Sequence, residues 1–469
     1  MKWRSNHVHK SLIDGEGAVV VCADVGSTYT KVSVVDVEGG ELVATAQHPT
    51  TVDTDVLHGL DAAVEATGVI RPAATYVCSS AGGGLRLAVV GYERLVTAET
   101  GYRVGLSAGA RVVHVAAGPL DRAGVDELRS ARPDVVLLVG GTDGGEARVL
   151  RHNAHRLGVA RLRVPVVVAG NVEARDEVMG ELTRRGVPAI PSENVLPAIG
   201  VSNPTPARTA IREVFLRHVI GGKRLSRGPR FASLVRGATP DVVLTAVELL
   251  ADHSAGDLLV VDVGGATTDV YSALTPDENQ DVAGTLWRSR TVEGDLGVRW
   301  TAPGVVRAAA VERLPDLDDL APAATARAAD PGLLGPDPAV DLRLASVAAT
   351  VALRRHARGD RPRTGALTRA PGPSVGADPT QEAKARDLRD VRLVIGSGGV
   401  LRHAGTAAAR QVIAGALTDH AGGWALPRMA EIAVDVDYVL APAGLLAAEY
   451  PDAALSLLRR LPSEHTISP

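Results

Sequence analysis

Leu258-Leu-Val-Val-Asp-Val-Gly-Gly-Ala-Thr-Thr-Asp-Val270 is the stretch that sets the fold. Its first half, Leu258 to Val263, reads as a buried strand, and it breaks at Gly264-Gly265 into small hydroxyl residues that end in Asp269. A near-copy stands earlier in the chain, Val20-Val-Cys-Ala-Asp-Val-Gly-Ser-Thr-Tyr-Thr-Lys-Val32. In both, a strand runs into Asp-x-Gly, turns through Ser or Thr and returns as a strand. Glycine lets such a hairpin approach a phosphate closely, because no Cβ intervenes and positive φ costs nothing. Turn amides and hydroxyls then donate to the anion, and an Asp at the strand end can hold Mg²⁺ through water. Two such hairpins imply two like halves facing one polyphosphate across a cleft.

The rest of the composition fits that plan. A chain of 469 residues is too long for one ordinary domain and implies two to four compact units. Lys plus Arg number 50 against 54 Asp plus Glu, a net charge of −4, so no nucleic acid and no anionic membrane is implied as an obligatory partner. Apolar residues make up 45% and aromatics only 3%, so Ala and Val fill the cores. The two cysteines, Cys22 and Cys78, sit in strand-like runs and read as small buried side chains of a reducing compartment. Met1 to Gly17 has no apolar signal region, no stretch is long enough to span a membrane, and a cytoplasmic location is expected.

In chain order, a leader over 1–17 precedes a first half expected at 18–117. Its strands are Ala18–Asp24, Lys31–Val37, Glu41–Gln47, Thr75–Ser80 and Arg111–Val115, with helices at Val56–Ala66 and roughly 93–108. From 118 to 236 helices alternate with the buried strands Val135–Val139, Val164–Ala169 and Val187–Ile190, which predicts parallel βαβ units in an inserted Rossmann-like subdomain. Its loops Gly140–Gly145 and Ala169-Gly170-Asn171 fall where open α/β sheets bind ligands, although tight strand-to-helix turns with no ligand are the favoured reading of such glycines alone. A second half is expected at 237–460, with a helix at Pro240–Ala251, the second hairpin, a loop Arg290–Arg299 and a strand Val391–Ile395 ending in Gly396-Ser-Gly-Gly399. The region 314–390 is rich in Ala, Pro and Arg, with a loop composition at 359–380, and a polar tail runs over 461–469.

Asp24-x-Gly-Ser-Thr-x-Thr-Lys31, Asp262-x-Gly-Gly-Ala-Thr-Thr-Asp269 and Gly396-Ser-Gly-Gly399 resemble, in order and separation, the phosphate-1, phosphate-2 and adenosine motifs of the actin/sugar-kinase/Hsp70 ATPase superfamily. The resemblance implies an α/β fold of two ribonuclease-H-like halves closing on Mg-ATP. A closer likeness rests on the 24–32 and 262–272 stretches, Gly-Gly-Thr-Asp-Gly-Gly at 140–145, Ser-Glu-Asn-Val-Leu-Pro at 192–197, Thr-Val-Glu-Gly-Asp-Leu-Gly-Val-Arg at 291–299 and Asp-Tyr-Val-Leu-Ala-Pro-Ala-Gly-Leu-Leu-Ala at 437–447. These are similar to the glutamate mutase (methylaspartate mutase) accessory family over about 18–460, thinning out at 314–390. That family is proposed to act as an ATP-driven reactivase or chaperone of adenosylcobalamin-dependent aminomutases. Implied partners are therefore mutase subunits, with cobalamin met only through them, and the oligomeric state is left open.

Carried over by position, the resemblance gives Asp24 and Asp262 the catalytic places, each holding Mg²⁺ through water, with Asp262 also orienting the attacking water. Gly26, Ser27, Thr28 and Thr30 would contact the β- and γ-phosphates, and Lys31 would neutralise phosphate charge or stand as a solvated strand residue. Gly264, Gly265, Thr267 and Thr268 would cradle the γ-phosphate, Gly396, Gly398 and Gly399 would pass beneath the adenosine, and Glu293 and Arg299 would reach the ribose or base. Phosphoryl transfer asks mainly for positioning and charge neutralisation, which this set supplies.

Other signals lead elsewhere. Gly105-Leu-Ser-Ala-Gly109 ends a helix and precedes a strand, the reverse of a nucleophile elbow. His152 and His155 share a helix face without an evident third ligand for zinc, and Walker-A spacing is absent. Related electron activators need cysteines for an iron–sulfur cluster, whereas both cysteines here lie in strands. The expected activity is a Mg-ATPase coupled to a partner protein. A small-molecule kinase on the same fold is the alternative, and a nucleotide-gated actin-like assembly protein is the third.

Overall fold

The computed structural model describes residues 18–81, 85–93, 101, 104–105, 110–199, 201, 203–214, 225–254, 256–275, 288–332, 338–358, 386–419 and 424–461. The expected leader, the tail from 462, most of the helix at 93–108 with residues 106–109 of its Gly105–Gly109 pattern, and the 359–380 loop lie outside the described residues.

The strands in chain order are β1 (Val19–Val25), β2 (Tyr29–Asp36), β3 (Glu41–Pro49), β4 (Ala74–Ser79), β5 (Arg86–Gly91), β6 (Arg111–Ala117), β7 (Val135–Leu138), β8 (Val166–Val168), β9 (Ala189–Pro191), β10 (Val235–Ala238), β11 (Asp257–Val263), β12 (Thr268–Ala273), β13 (Arg288–Glu293), β14 (Val391–Ser397) and β15 (Glu431–Val434). They form three five-stranded sheets. The first has the order β3-β2-β1-β4-β10, with β1–β2 and β2–β3 antiparallel and β1–β4 and β4–β10 parallel. The second repeats it strand for strand as β13-β12-β11-β14-β15. Each is a ribonuclease-H-like sheet, and the pair is the architecture of the actin/Hsp70 ATPase fold.

The third sheet, β6-β5-β7-β8-β9, is parallel throughout. Taken in chain order its strands lie second-first-third-fourth-fifth, a doubly wound order. Two strands join it that the sequence places differently: Arg111–Ala117, expected in the first half, and Arg86–Gly91, not expected at all. A parallel strand buried on both faces shows no alternation, so the short apolar run Leu85–Val90 does not stand out by period from the glycine break before it. The four-residue β10 is missed for a similar reason, since its glycine and its Arg236 mask a strand defined only by its place beside β4.

Strand alternation sorts the cores. In β1, Val19, Val21, Ala23 and Val25 face one core, shared with the helix Val56–Glu65 and with Leu87, Val89, Leu137 and Val167 of the third sheet. Val20 and Cys22 face the opposite way, into a core that also holds Leu258, Val260 and Tyr271 of the second sheet. The helices Thr239–His253 and Leu440–Leu446 contribute to this shared core, so one apolar layer joins the halves. Cys22 and Cys78 are buried here as free thiols. Leu259, Val261 and Val263 turn away, toward the long helix Pro338–Arg358. Phe231, one of only two phenylalanines, is 1% exposed in the first core. Phe231→Ala is expected to cost about 3–5 kcal/mol in chemical unfolding, and a loss below about 1 kcal/mol would show that this core does not depend on it.

Candidate functional site

The two hairpins are copies at the level of hydrogen bonds. Gly26 N–H donates to the Tyr29 carbonyl at 3.1 Å, and Gly264 N–H donates to the Thr267 carbonyl at 2.9 Å. A Cβ on either glycine would stand 2.8 Å from that same carbonyl, so the turn requires glycine. Asp24 pairs across the strands with Lys31, and Asp262 with Asp269.

The turns meet tip to tip. A Cβ on Gly265 would lie 2.9 Å from Thr28 Oγ1, and the Trp300 indole N–H donates to that oxygen at 3.1 Å. The 291–299 motif is fastened to the second turn through its backbone. Arg299 and Trp300 N–H both donate to the Gly265 carbonyl, at 2.8 and 2.9 Å, and Val298 N–H donates to that of Gly264. The third glycine motif crosses beneath: Gly398 has φ +104°, and a Cβ there would fall 2.1 Å from the Val263 carbonyl and 3.0 Å from Asp262 Oδ1.

Asp24, 4% exposed, is gripped from several elements. Its Oδ1 accepts from the Thr239 hydroxyl, at the start of the helix after β10, and from the Cys78 thiol of β4. Its Oδ2 accepts from Lys31 at 3.3 Å and from the Tyr438 hydroxyl at 2.7 Å. Lys31 also lies over the Tyr438 ring, 3.9 Å from its centroid, so it is no solvated strand residue. Asp262 differs, having no hydrogen-bond partner among the described residues. Burial, with Asp269, Asp24 and Asp435 nearby, pushes it up to about 7 against the opposing pull of Lys31. Burial raises Asp269 to about 6, and its Oδ1 has no partner among the described residues. Asp435, also raised by burial to about 6, accepts from the N–H of Val439 at 2.7 Å.

Half-buried Asp262 and the orphaned Asp269 oxygen are opposed only by Lys31 and Arg290 at a distance and have free acceptor oxygens, which is the donor chemistry that a hydrated Mg²⁺ satisfies. The residues present therefore fit the metal.

The structure brings Asp24, Gly26, Ser27, Thr28, Lys31, Asp262, Gly264, Gly265, Thr267 and Gly398 to the two turns and the crossing beneath them. Gly399 opens the short helix that follows the crossing, and nothing would obstruct a Cβ there. Four side chains turn elsewhere. Thr30 is fully buried, within hydrogen-bond distance of the Thr50 hydroxyl, and Thr268 donates to the Leu296 carbonyl at 2.7 Å. Glu293 accepts from Arg355 at 2.6 Å, and Arg299 forms a fork with Asp341 at 2.8 and 2.9 Å. Gly396 packs on Leu401 and Ile413, while its carbonyl accepts from Asp435 N–H. His152 lies against the Leu120 carbonyl and His155 against Glu181.

Sequence reasoning assigned no role to Thr239, Trp300, Asp435 or Tyr438. Trp300 and Tyr438 stand beside or within stretches already singled out as motifs, which is the one signal they carried. Thr239 and Asp435 carried none, since only the tertiary fold brings them near the hairpins.

A family model described as "MutL protein" matches residues 20–461. "Protein MutL" of Clostridium tetanomorphum is 34% identical over 464 residues, covering 93% of this chain and 97% of its own length. Among solved structures, diol dehydratase-reactivating factor in nucleotide-free form aligns over 92% of this chain and 100% of its own, at 10% identity and a TM-score of 0.36. Nucleotide-free acetone carboxylase aligns over 60% of this chain at 16% identity and a TM-score of 0.31, and this chain spans 48% of its length. At such TM-scores neither structure carries an argument about function.

Proposed function

Because the chain belongs to the MutL protein family, we propose that it binds and hydrolyses ATP as an accessory protein to a partner enzyme. The partner in this reading is an adenosylcobalamin-dependent aminomutase of the glutamate (methylaspartate) mutase kind, and the work done on it is reactivation. The observation that carries the reading is the pair of Asp-x-Gly hairpins at like positions in two like sheets, their tips in contact.

In this reading the turn amides around Gly26 and Gly264–Gly265 and the hydroxyls of Ser27, Thr28 and Thr267 receive the phosphates. Lys31 supplies positive charge between Asp24 and Asp262. Asp24 and Asp262 would hold Mg²⁺, which when bound supplies charge neutralisation at the phosphates. Asp262, raised to about 7, is suited to orient a water and take its proton near neutral pH. The Trp300–Thr28 contact must open for phosphate to enter between the tips, so nucleotide shifts the balance between separated and joined halves.

The test is Mg²⁺-dependent phosphate release from ATP, with and without an aminomutase carrying inactivated cofactor. Release stimulated by the mutase is expected. Release indifferent to the mutase but dependent on a small hydroxylated metabolite would replace the reading with that of a kinase.

A further inference from the structure

Tyr438 combines three unusual features. Its backbone is left-handed at φ +57°, a conformation that an aromatic residue adopts only when its surroundings impose it. Its side chain is 6% exposed, yet the hydroxyl reaches from the last part of the second half to Asp24 Oδ2 in the first half, at 2.7 Å. Two cations lie over its ring, Lys31 Nζ at 3.9 Å and the Arg402 guanidinium at 5.7 Å from the centroid.

The turn that presents it is built to hold. Asp435 accepts from Val439 N–H at 2.7 Å and from Leu440 N–H at 3.4 Å, satisfying donors at the start of the helix Leu440–Leu446. That helix belongs to the apolar layer joining the two sheets. The strained turn therefore fixes the hydroxyl relative to a helix that reports how the halves sit. The two oxygens of Asp24 are held from different places: Oδ1 by Thr239 and Cys78, Oδ2 by Lys31 and Tyr438.

We propose that Tyr438 is a positioning residue for Asp24, through which the second half sets the first-half carboxylate so that it is aligned only while the halves are docked. The proposal rests on the ATPase reading and adds to it a physical link from docking to chemistry. Losing the hydroxyl leaves Asp24 Oδ2 held by Lys31 alone, at 3.3 Å, and keeps the ring on Lys31, so binding is kept while alignment is lost.

The experiment compares Tyr438→Phe and Tyr76→Phe with the wild type. Tyr76 also spans the junction, donating its hydroxyl to Glu449, but does not touch Asp24. Tyr438→Phe is expected to lower kcat about tenfold, the rate equivalent of one lost hydrogen bond to a charged group, with KM for ATP within about twofold. It should also raise the Mg²⁺ concentration for half-maximal rate. Tyr76→Phe is expected to keep kcat within about twofold. An unchanged Tyr438→Phe kcat beside an active wild type overturns the proposal alone, and equal losses in both variants reduce Tyr438 to a structural contact. A wild type that neither hydrolyses ATP nor binds a fluorescent ATP analogue overturns the ATPase reading, and this proposal with it.

Discussion

Asp262→Asn is expected to lower ATP turnover by about 10²–10³-fold and to raise the Mg²⁺ concentration needed for half-maximal rate. The amide keeps the shape beside Gly398 and removes the ability to accept a proton. Wild-type turnover should rise with pH as the Asp262 carboxyl, raised by burial, ionises, and the residual turnover of the variant should lose that rise. Turnover equal to the wild type would remove Asp262 from the chemistry.

Stability should move in the opposite direction, which separates this outcome from simple damage. The folded-state pKa of Asp262 is raised from 3.8 to about 7, so the folded chain binds this proton more tightly than the unfolded chain. Its contribution to stability is complete below about pH 4 and is lost as pH rises through 7. Asp269 and Asp435, raised to about 6, act with the same sign. At pH 8 the wild type keeps an ionised Asp262 near other carboxylates, a cost the neutral amide avoids. Asp262→Asn should therefore melt above the wild type at pH 8, with the difference shrinking toward pH 5. A variant less stable than wild type at pH 8 would contradict this electrostatic account.

The parts of the fold legible in the sequence are those where a local pattern has one structural solution. Asp-x-Gly followed by small hydroxyl residues between two apolar runs dictates the hairpin, and its repetition dictates the twin sheets. Gly398 is singled out in the sequence only as passing beneath an adenosine; the constraint the structure shows is a different one, a backbone crossing where a Cβ would meet the Val263 carbonyl. Side-chain direction was not legible. Thr30 and Thr268 carry the right chemistry for phosphate, yet the pleat sends both inward, to Thr50 and to the Leu296 carbonyl. Glu293 and Arg299 engage Arg355 and Asp341, partners more than 40 residues away that no local pattern announces. The membership of β5 and β6 in the third sheet escaped for the same reason, since it depends on the parallel partner of each strand.

Gly444→Ala should be the most destabilising single methyl addition at the junction. Gly444 lies in the helix Leu440–Leu446, and a Cβ there would fall 1.9 Å from the Val242 carbonyl and 2.7 Å from its carbon. The obstacle is the backbone of the helix Thr239–His253, which cannot swing aside as a side-chain tip would. Relief requires the two helices to part, opening the apolar layer that joins Val20 and Cys22 of one sheet to Leu258, Val260 and Tyr271 of the other. A loss of about 3 kcal/mol is expected, at the upper end for overpacking, against the gain that Gly→Ala ordinarily brings inside a helix. Gly180→Ala supplies the comparison: it too is helical, but a Cβ there meets nothing within 4 Å, so a gain of up to about 1 kcal/mol is expected. Parting the helices also moves Tyr438 and Thr239, which hold Asp24 from the ends of these same two helices, so ATP turnover should fall with stability. Urea unfolding of both variants beside phosphate release decides the matter. A Gly444→Ala protein as stable as wild type would mean that the two helices are not in backbone contact, and that the halves are joined by some other surface.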